Sequence, residues 1–180
     1  MQIREMGIHE VGKLKEIDRS EHISKVYRMG SLGIQAEEAN HECGSWSPLM
    51  LQELQDRFVD ELQHGGIAYG AYAGEDLAGF AVLAHRWLGK REDGLQVDLM
   101  YVSRSYRRQG VGKRLMHELK LEAKRRGAKF LYISSTETES AVNFYRHCGG
   151  GLTEEVDERL YAKEPEDIHM VIDLQNTEPV

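Results

Sequence analysis

The sequence predicts a mixed α+β fold, in which a largely antiparallel sheet of about seven strands is flanked by about four helices. Three apolar segments between Ile67 and Val102 are separated by short turns, which is typical of an antiparallel meander. Residues 95–134 then follow the order strand, turn, helix, strand. This is a βαβ unit, whose two strands run parallel with a right-handed crossover. The sheet is therefore expected to be mixed.

Length and composition indicate one globular unit. The chain has 180 residues, of which 41% are apolar and 29% charged, enough to bury a core without metals or disulfides. We expect a single domain over residues 1–174 and a frayed tail over residues 175–180. The cysteines Cys43 and Cys148 lack metal-ligand spacing, so neither a disulfide framework nor a metal site is expected.

Charge narrows the range of partners. The chain has 30 acidic and 23 basic residues and a net charge of -7, so nucleic acid is not an expected partner. Basic residues cluster at 104–114, which suits a small polyanion, and at 124–126, which equally suits a helix C-terminus. Neither a signal-peptide pattern nor an apolar run of about 18 residues is present. A cytoplasmic protein without a membrane partner is expected.

The first half of the chain contains two predicted helices. Residues 1–6 alternate weakly as a first strand, and apolar residues at three-residue spacing predict a helix over about 9–19. Residues 20–45 have no clear period and are interpreted as a loop with a short helix at most. Ser47 as N-cap and Pro48 at the first helical position predict a second helix that ends at a glycine pair.

The second half continues the sheet. Thr136 and Glu139 have capping-box spacing for a helix that runs to Cys148. The predicted strands are 67–73, 77–89 and 95–102 in the meander, 129–134 after the central helix, and a final pair at 152–162 and 166–174.

The turn Arg-Arg-Gln-Gly-Val-Gly at residues 107–112 joins the meander to the central helix. N–H groups in the first turn of a helix lack intrahelical partners and the helix dipole adds positive charge, so phosphate oxygens are stabilised there. Gly110 and Gly112 remove Cβ atoms that would hold a pyrophosphate off the backbone, although an isolated GxG pair also serves simply as a tight turn. Neither a P-loop nor a complete dinucleotide fingerprint is present.

The run LMYVSRSYRRQGVGKRL at residues 99–115 resembles the acetyl-CoA motif of the GCN5-related N-acetyltransferase (GNAT) family. The signature of that motif is Arg or Gln, two residues, Gly, one residue, Gly or Ala. Arg107, Gly110 and Gly112 occupy its defining positions. The predicted order of helices and strands agrees with the family over nearly the whole chain, whereas the specific motifs lie within residues 97–148.

The resemblance implies acetyl-CoA as the acetyl-donor cosubstrate and a GNAT-like sheet whose two parallel strands splay apart to admit the pantetheine arm. The backbone of Met100, Tyr101 and Val102 would pair with this arm like an added strand. Thr138 is assigned as a further cofactor contact, although it departs from the Asn that the family frequently has at this position. The turn that would hold the pyrophosphate comprises Arg107, Arg108, Gln109, Gly110, Val111, Gly112 and Lys113.

Two residues resemble the proton-transfer groups of the family. Tyr145 lies in SAVNFYRHCGG, similar to a helix whose Tyr acts as general acid towards the CoA sulfur; an aromatic packed on the inner helix face is the alternative. Asp98 stands near the position of a family Glu that acts as base, directly or through water; a strand carboxylate paired to a neighbour is the alternative. Simple alternation places Asp98 on one face with Met100, unless a bulge intervenes.

The predicted function is direct acetyl transfer from acetyl-CoA to a primary amine, on a small molecule or a peptide, by a monomer or homodimer. A non-catalytic acyl-CoA-sensing module and a nucleotide-phosphate binder are the alternatives. The acceptor would lie against segments near residues 19–47, 87–93 and 152–166, where Trp87 or Tyr106 could stack on an aromatic acceptor. Acidic residues there form either an acidic cleft or a solvated surface: Asp18, Glu21, Glu37, Glu38, Glu42, Glu154, Glu155 and Asp157.

Overall fold

The computed structural model describes residues 1–175. Its strands are β1 (Gln2–Met6), β2 (Glu21–Gly30), β3 (Gly33–Cys43), β4 (Ile67–Ala73), β5 (Asp76–Leu88), β6 (Gly94–Val102), β7 (Phe130–Ser135), β8 (Gly151–Leu152) and β9 (Ile168–Asp173). Its helices are α1 (Pro48–Gln63), α2 (Val111–Arg126), α3 (Glu139–His147) and α4 (Glu158–Lys163), with 3-10 helices at Ile8–Glu16 and Arg104–Tyr106. None of the helices described is long and apolar enough to cross a membrane.

Seven strands form the main sheet, in the order β1-β4-β5-β6-β7-β9-β8. The strands β4, β5 and β6 form the predicted antiparallel meander. The strands β6 and β7 are parallel and are joined by α2, as the βαβ pattern requires. The mixed α+β fold predicted from the sequence is confirmed.

Helices cover both faces of the main sheet. On the first, which we call the α2 face, α2 and α3 pack on the sheet, with Leu119 and Leu131 in one buried cluster. On the second, which we call the α1 face, Phe58 of α1 packs with Phe80 of β5. Side chains alternate along a strand, so Tyr132 also lies on the α1 face, where α4 packs against it.

Residues 20–45 form β2 and β3, so the prediction of a loop is wrong. The two strands pair as an antiparallel ribbon outside the main sheet. Within this ribbon, burial is confined to Ile23 and Val26, so the alternation that marks a strand is almost absent from the sequence. The ribbon docks on the start of α3, where the Tyr27 N–H donates to the Glu137 carbonyl at 2.7 Å.

Two predictions about helices are corrected, one on the type of helix and one on the residue that caps it. The first helix is a 3-10 helix, consistent with the three-residue apolar spacing that was interpreted as an α-helix, because a 3-10 helix has three residues per turn. The N-cap of α3 is Thr138, whose Oγ1 accepts from the Ala141 N–H, and not Thr136.

The predicted strand at 152–162 is also wrong. β8 ends at Leu152, and Asp157 then caps α4 by accepting from the Leu160 N–H at 3.0 Å. An aspartate followed by Glu158 suits a helix start, and this capping outweighs the alternation. Of the predicted tail, residues 176–180 lie outside the described residues, so the tail and the domain bounds stay predictions.

A bulge in β6 changes which residues share a face. Val97 and Leu99 pair with adjacent residues of β5, so Asp98 is the extra residue. Beyond the bulge Met100 lies on the α2 face with Val97, whereas Leu99 and Tyr101 lie on the α1 face. Simple alternation, which placed Met100 opposite Val97, is wrong.

A buried histidine lies beneath α4. The Asp157 N–H donates to the Tyr132 hydroxyl at 2.9 Å, and that hydroxyl lies 2.7 Å from His169 Nδ1. Which of these two atoms donates depends on the tautomer of the imidazole, because the hydroxyl oxygen is able to accept from both the Asp157 N–H and Nδ1. Nε2 is buried without a partner among the described residues. Burial lowers the pKa of His169 below its ordinary 6.5, so the neutral ring is the stable form in the fold.

We predict that the free energy of unfolding falls as the pH is lowered through about 6.5, because the unfolded chain then binds a proton that folded His169 resists. The loss should level off below the folded pKa of His169. In His169→Phe this component should vanish from denaturant titrations between about pH 7.5 and 5. The exposed His41 supplies the control, since His41→Gln should keep the wild-type slope. An unchanged slope in His169→Phe would contradict the assignment.

Candidate active site

The parallel strands at the centre of the sheet separate soon after they meet. Gly94–Gln96 pairs with Phe130–Tyr132, and the β6–β7 ladder of the described chain ends there. The edge of β6 that faces β7 is therefore open over residues 97–102, on a strand otherwise buried in the sheet. The splayed pair implied by the resemblance is present.

Backbone groups of β6 are directed into this opening. The Ser103 N–H donates to the Ala78 carbonyl of β5 at 2.9 Å. Successive residues of a strand direct their N–H and C=O groups to opposite edges. Tyr101 therefore directs its backbone towards β5, whereas Met100 and Val102 direct theirs into the opening. Of the three residues expected to pair with an arm, these two have the required orientation.

The turn before α2 forms an anion-binding arrangement. Arg108 and Gly110 both have left-handed backbone angles, with φ of 60° and 81°. Gly110 is the N-cap of α2 and no side chain caps this helix. The first-turn N–H groups at residues 111–113 thus point outwards without an intrahelical partner, where the dipole favours negative charge. Arg108 and Lys113 are exposed cations beside them.

Arg107 supports the turn from within. Its Nε donates to the Val102 carbonyl at 2.9 Å and its Nη1 donates to the Ser20 carbonyl at 3.0 Å. The guanidinium thereby connects the turn to the end of β6 and to the segment before β2. Gln109 also bonds locally, from Nε2 to the Ser105 carbonyl at 2.8 Å.

The two motif glycines have different surroundings. A Cβ at Gly110 would meet open space, so its positive φ is the reason for glycine there. A Cβ at Gly112 would lie 2.9 Å from the Phe144 ring, so this glycine lets α2 pack against α3. The structure therefore gives Gly112 a packing role in addition to the close phosphate approach predicted from the sequence.

A cavity of about 260 Å³ lies between β2, the turn and the start of α3. Arg108 and Thr138 line it together with Asn143, one turn into α3. The Thr138 hydroxyl is engaged as the N-cap, so Asn143 is the free amide on this wall. The sequence prediction missed Asn143 because it considered only the position that starts the helix.

Tyr145 lies on α3 and packs against the cluster of the α2 face. Burial raises the pKa of the Tyr145 phenol, and negative charge on Tyr101, Cys148 and Asp167 raises it further. A phenol with a raised pKa stays protonated at neutral pH and is able to donate to a thiolate. Tyr145 therefore combines a packed aromatic ring with a hydroxyl that stays protonated at neutral pH.

Asp98 forms an ion pair with Arg57 of α1. Arg57 donates through Nε to Oδ2 at 2.8 Å and through Nη2 to Oδ1 at 2.5 Å. The Asp98 side chain is 5% exposed and that of Arg57 is 34% exposed. Both carboxylate oxygens are engaged, which is the paired alternative raised from the sequence.

The α1 face at the opening carries residues that the sequence prediction did not assign. Trp46 packs edge-on to Tyr101, with ring centroids 5.0 Å apart, and Ser134 Oγ donates to Asp167 Oδ2 at 2.7 Å. The sequence signals for this pair were two polar residues, Ser134 near the end of β7 and Asp167 just before β9. Of the two aromatic residues that were expected to stack on an acceptor, Tyr106 packs in the cluster of the α2 face.

Several of the acidic residues of the expected acceptor region form surface ion pairs. On the ribbon Glu38 pairs with Lys25 and Glu37 pairs with Arg28, and elsewhere Glu155 pairs with Lys90. These side chains are well exposed, so the pairs contribute little to stability. This arrangement favours a solvated surface over a cleft lined by unpaired carboxylates.

Comparison with known proteins assigns the family. The family model "Acetyltransferase (GNAT) family" matches residues 33–149. The uncharacterized N-acetyltransferase YvbK of Bacillus subtilis (strain 168) is 31% identical over 114 residues, which are 63% of this chain and 70% of that protein.

Solved structures share the fold. Nourseothricin acetyltransferase superposes with a TM-score of 0.69 at 23% identity, over 96% of this chain and 98% of that chain. A candidate streptothricin acetyltransferase from Bacillus anthracis, solved with acetyl coenzyme A, gives 0.70 at 20% identity, over 96% and 97%. With the family model matching more than half of the chain, the protein belongs to the GNAT acetyltransferase family, and acetyl-CoA as cosubstrate fits this family.

Proposed function

We propose that this protein transfers an acetyl group from acetyl-CoA directly to a primary amine in a ternary complex, with residues 1–174 acting as one catalytic domain. The observation that carries this proposal is the open edge of β6 next to the uncapped start of α2. An added strand needs free backbone groups and a pyrophosphate needs free N–H donors. The open edge of β6 and the N–H groups at the start of α2 adjoin each other, so they form one continuous binding path for the cofactor.

The cofactor contacts follow from this path. Met100 offers its backbone groups to the pantetheine arm, and Val102 offers its N–H, since the Val102 carbonyl already accepts from Arg107. The N–H groups at 108–113 surround the pyrophosphate. Arg108 and Lys113 add charge at the mouth, whereas Arg107 keeps the turn in place through its two carbonyl contacts. Thr138 and Asn143 line the adjoining cavity and are proposed to contact the cofactor there.

Tyr145 is proposed as the general acid. When the amine attacks the thioester carbon, the C–N bond forms and the C–S bond breaks, so the departing thiolate needs a proton. The Tyr145 phenol, whose pKa burial raises, holds its proton at neutral pH and supplies it to the sulfur.

Asp98 stays a prediction as the base. Its ion pair supports a second role, in which it fixes α1 against the bulge of β6 and carries a proton only through water. Truncating either partner would leave an unpaired charge at a largely buried position, so variants at this pair test stability as much as proton transfer.

The rival function is an acyl-CoA sensor of the same fold, and turnover distinguishes it. Purified protein with acetyl-CoA is offered spermidine, kanamycin, lysine, a peptide with a free N-terminus and streptothricin, and thiol release and acetylated product are measured. Streptothricin is included because a structural neighbour is named for it. An acetylated product supports the enzyme, whereas tight acetyl-CoA binding without any product supports the sensor. Much tighter binding of ATP than of acetyl-CoA in calorimetry would favour the nucleotide binder.

Tyr145→Phe should lower kcat by about 100-fold while leaving the Kd of acetyl-CoA within about twofold, because the ring still packs but the transferable proton is gone. Steady-state kinetics and calorimetry measure the two quantities. Tyr69→Phe, at a partly buried tyrosine of β4 that packs on the same cluster away from the opening, is the control and should keep wild-type kcat. Undiminished turnover in Tyr145→Phe removes this residue from the mechanism.

Arg108→Gly should weaken acetyl-CoA binding by about tenfold, because a cation beside the pyrophosphate is lost. The fold should not suffer, since glycine accepts the left-handed φ of 60° without strain. Calorimetry gives the affinity and thermal unfolding gives the Tm. Glu92→Gly, at another left-handed residue with φ of 50°, controls for relief of strain and should leave affinity unchanged. Equal affinity in Arg108→Gly and wild type would count against this binding path.

A further inference from the structure

A second carboxylate lies at the opening, on the α1 face. Ile168 is buried in the cluster of the α2 face, so alternation directs its neighbour Asp167 to the opposite face. Ser134 of β7 holds this carboxylate through a 2.7 Å hydrogen bond from its hydroxyl to Oδ2. Both residues lie beyond Tyr132, where β6 and β7 have stopped pairing. Because β9 pairs with the edge of β7 that faces away from β6, Asp167 lies across β7 from the gap, on the α1 face, within electrostatic reach of Tyr101 and Arg57.

Asp167 differs from Asp98 in the availability of its oxygens. Arg57 engages both oxygens of Asp98. Asp167 accepts from Ser134 at Oδ2, and its Oδ1 has no hydrogen-bond partner within the described chain. Asp167 is also partly exposed, so a ligand is able to reach it. Of the two carboxylates, Asp167 is the one with a free lone pair at the opening.

Burial and neighbouring carboxylates together raise the pKa of Asp167. Burial raises the pKa of Asp167, the Ser134 hydrogen bond lowers it, the carboxylates of Glu164 and Glu137 raise it, and Arg57 lowers it. The charge of Asp167 in turn contributes to the raised pKa values of Tyr101 and Tyr145, after the dominant effect of burial. Asp167 on the α1 face and Tyr145 on the α2 face therefore interact electrostatically with each other.

We propose that Asp167, in place of the ion-paired Asp98, is the general base of the transfer, with Ser134 as its positioning residue. It receives the proton that an acceptor ammonium group loses before its nitrogen attacks the thioester. This inference rests on the proposed function of the same site. It also defines the acceptor class as amines that are protonated at neutral pH, because an ammonium group brings the proton that the Asp167 carboxylate removes.

The proton steps balance with two groups. The ammonium transfers one proton to Asp167, which passes it to water, and the neutral nitrogen forms the C–N bond. When the C–S bond breaks, Tyr145 donates its proton to the thiolate sulfur. The acylated nitrogen then loses its surplus proton, which restores the Tyr145 phenol through water. The products are an acetamide, the CoA thiol and one proton released to solvent.

The test uses the most active amine of the panel above and the pH profile of kcat/KM. Wild-type kcat/KM should rise with pH along an acid limb set by a carboxyl group whose pKa lies above its ordinary value of 3.8. Asp167→Asn should lower kcat by about 100-fold and remove this limb. Ser134→Ala takes away a bond that lowers the pKa of Asp167, so its acid limb should move to higher pH while the fold stays intact.

Asp76→Asn is the matched control, since this exposed aspartate also stands at the start of a strand but far from the opening, and it should behave as wild type. If the wild type acetylates an amine and Asp167→Asn keeps the acid limb, the base assignment fails while the proposed function stands. An acid limb that stays in place in Ser134→Ala overturns the positioning role. If the wild type releases CoA with none of the amines, the proposed function fails, and this inference fails with it.

Discussion

The short parallel pairing of β6 and β7 is the constraint on which the rest of the cleft depends. It begins at Gly94, where a Cβ would lie 2.2 Å from atoms of the Phe130 ring, so a larger residue there would push the strands apart. It ends two residues before the Asp98 bulge, which twists β6 and re-aims its side chains. Without this early end β6 would be paired on both edges and would have no groups left for a ligand.

The opening separates two chemical environments across one sheet. On the α2 face lie the uncapped helix start, the cavity beside α3 and the Tyr145 phenol, which together suit an anionic cofactor and its sulfur. On the α1 face lie the carboxylate of Asp167, which suits a cation, and Trp46, whose ring already stacks with the Arg19 guanidinium at 4.9 Å. In the proposed reaction a thioester reacts with an amine, and the groups suited to each reactant lie on opposite faces of the sheet, on either side of the gap.

The sequence predicted the elements whose signals are local and missed those that depend on neighbours. The meander, the βαβ unit and the turn at 107–112 follow from period, glycine and helix-start rules, and all are present. The β2–β3 ribbon was missed because it buries almost no side chains. Arg57 and Asp167 were missed because their significance comes from partners 41 and 33 residues away, which no spacing rule reveals. The position of the motif turn was predictable from the sequence, whereas residues brought together by tertiary contacts were not.

The ribbon has a thermodynamic consequence through the cavity that it shares with α3. It is held by the Tyr27 bond to Glu137, a bridge between Val26 and Thr138, an ion pair between Arg28 and Glu166, and two buried side chains. Any ligand in the cavity touches the ribbon and α3 together. By linkage, such a ligand and the docked ribbon stabilise each other by the same free energy, so protection of β2 amides from exchange reports occupancy of the cavity.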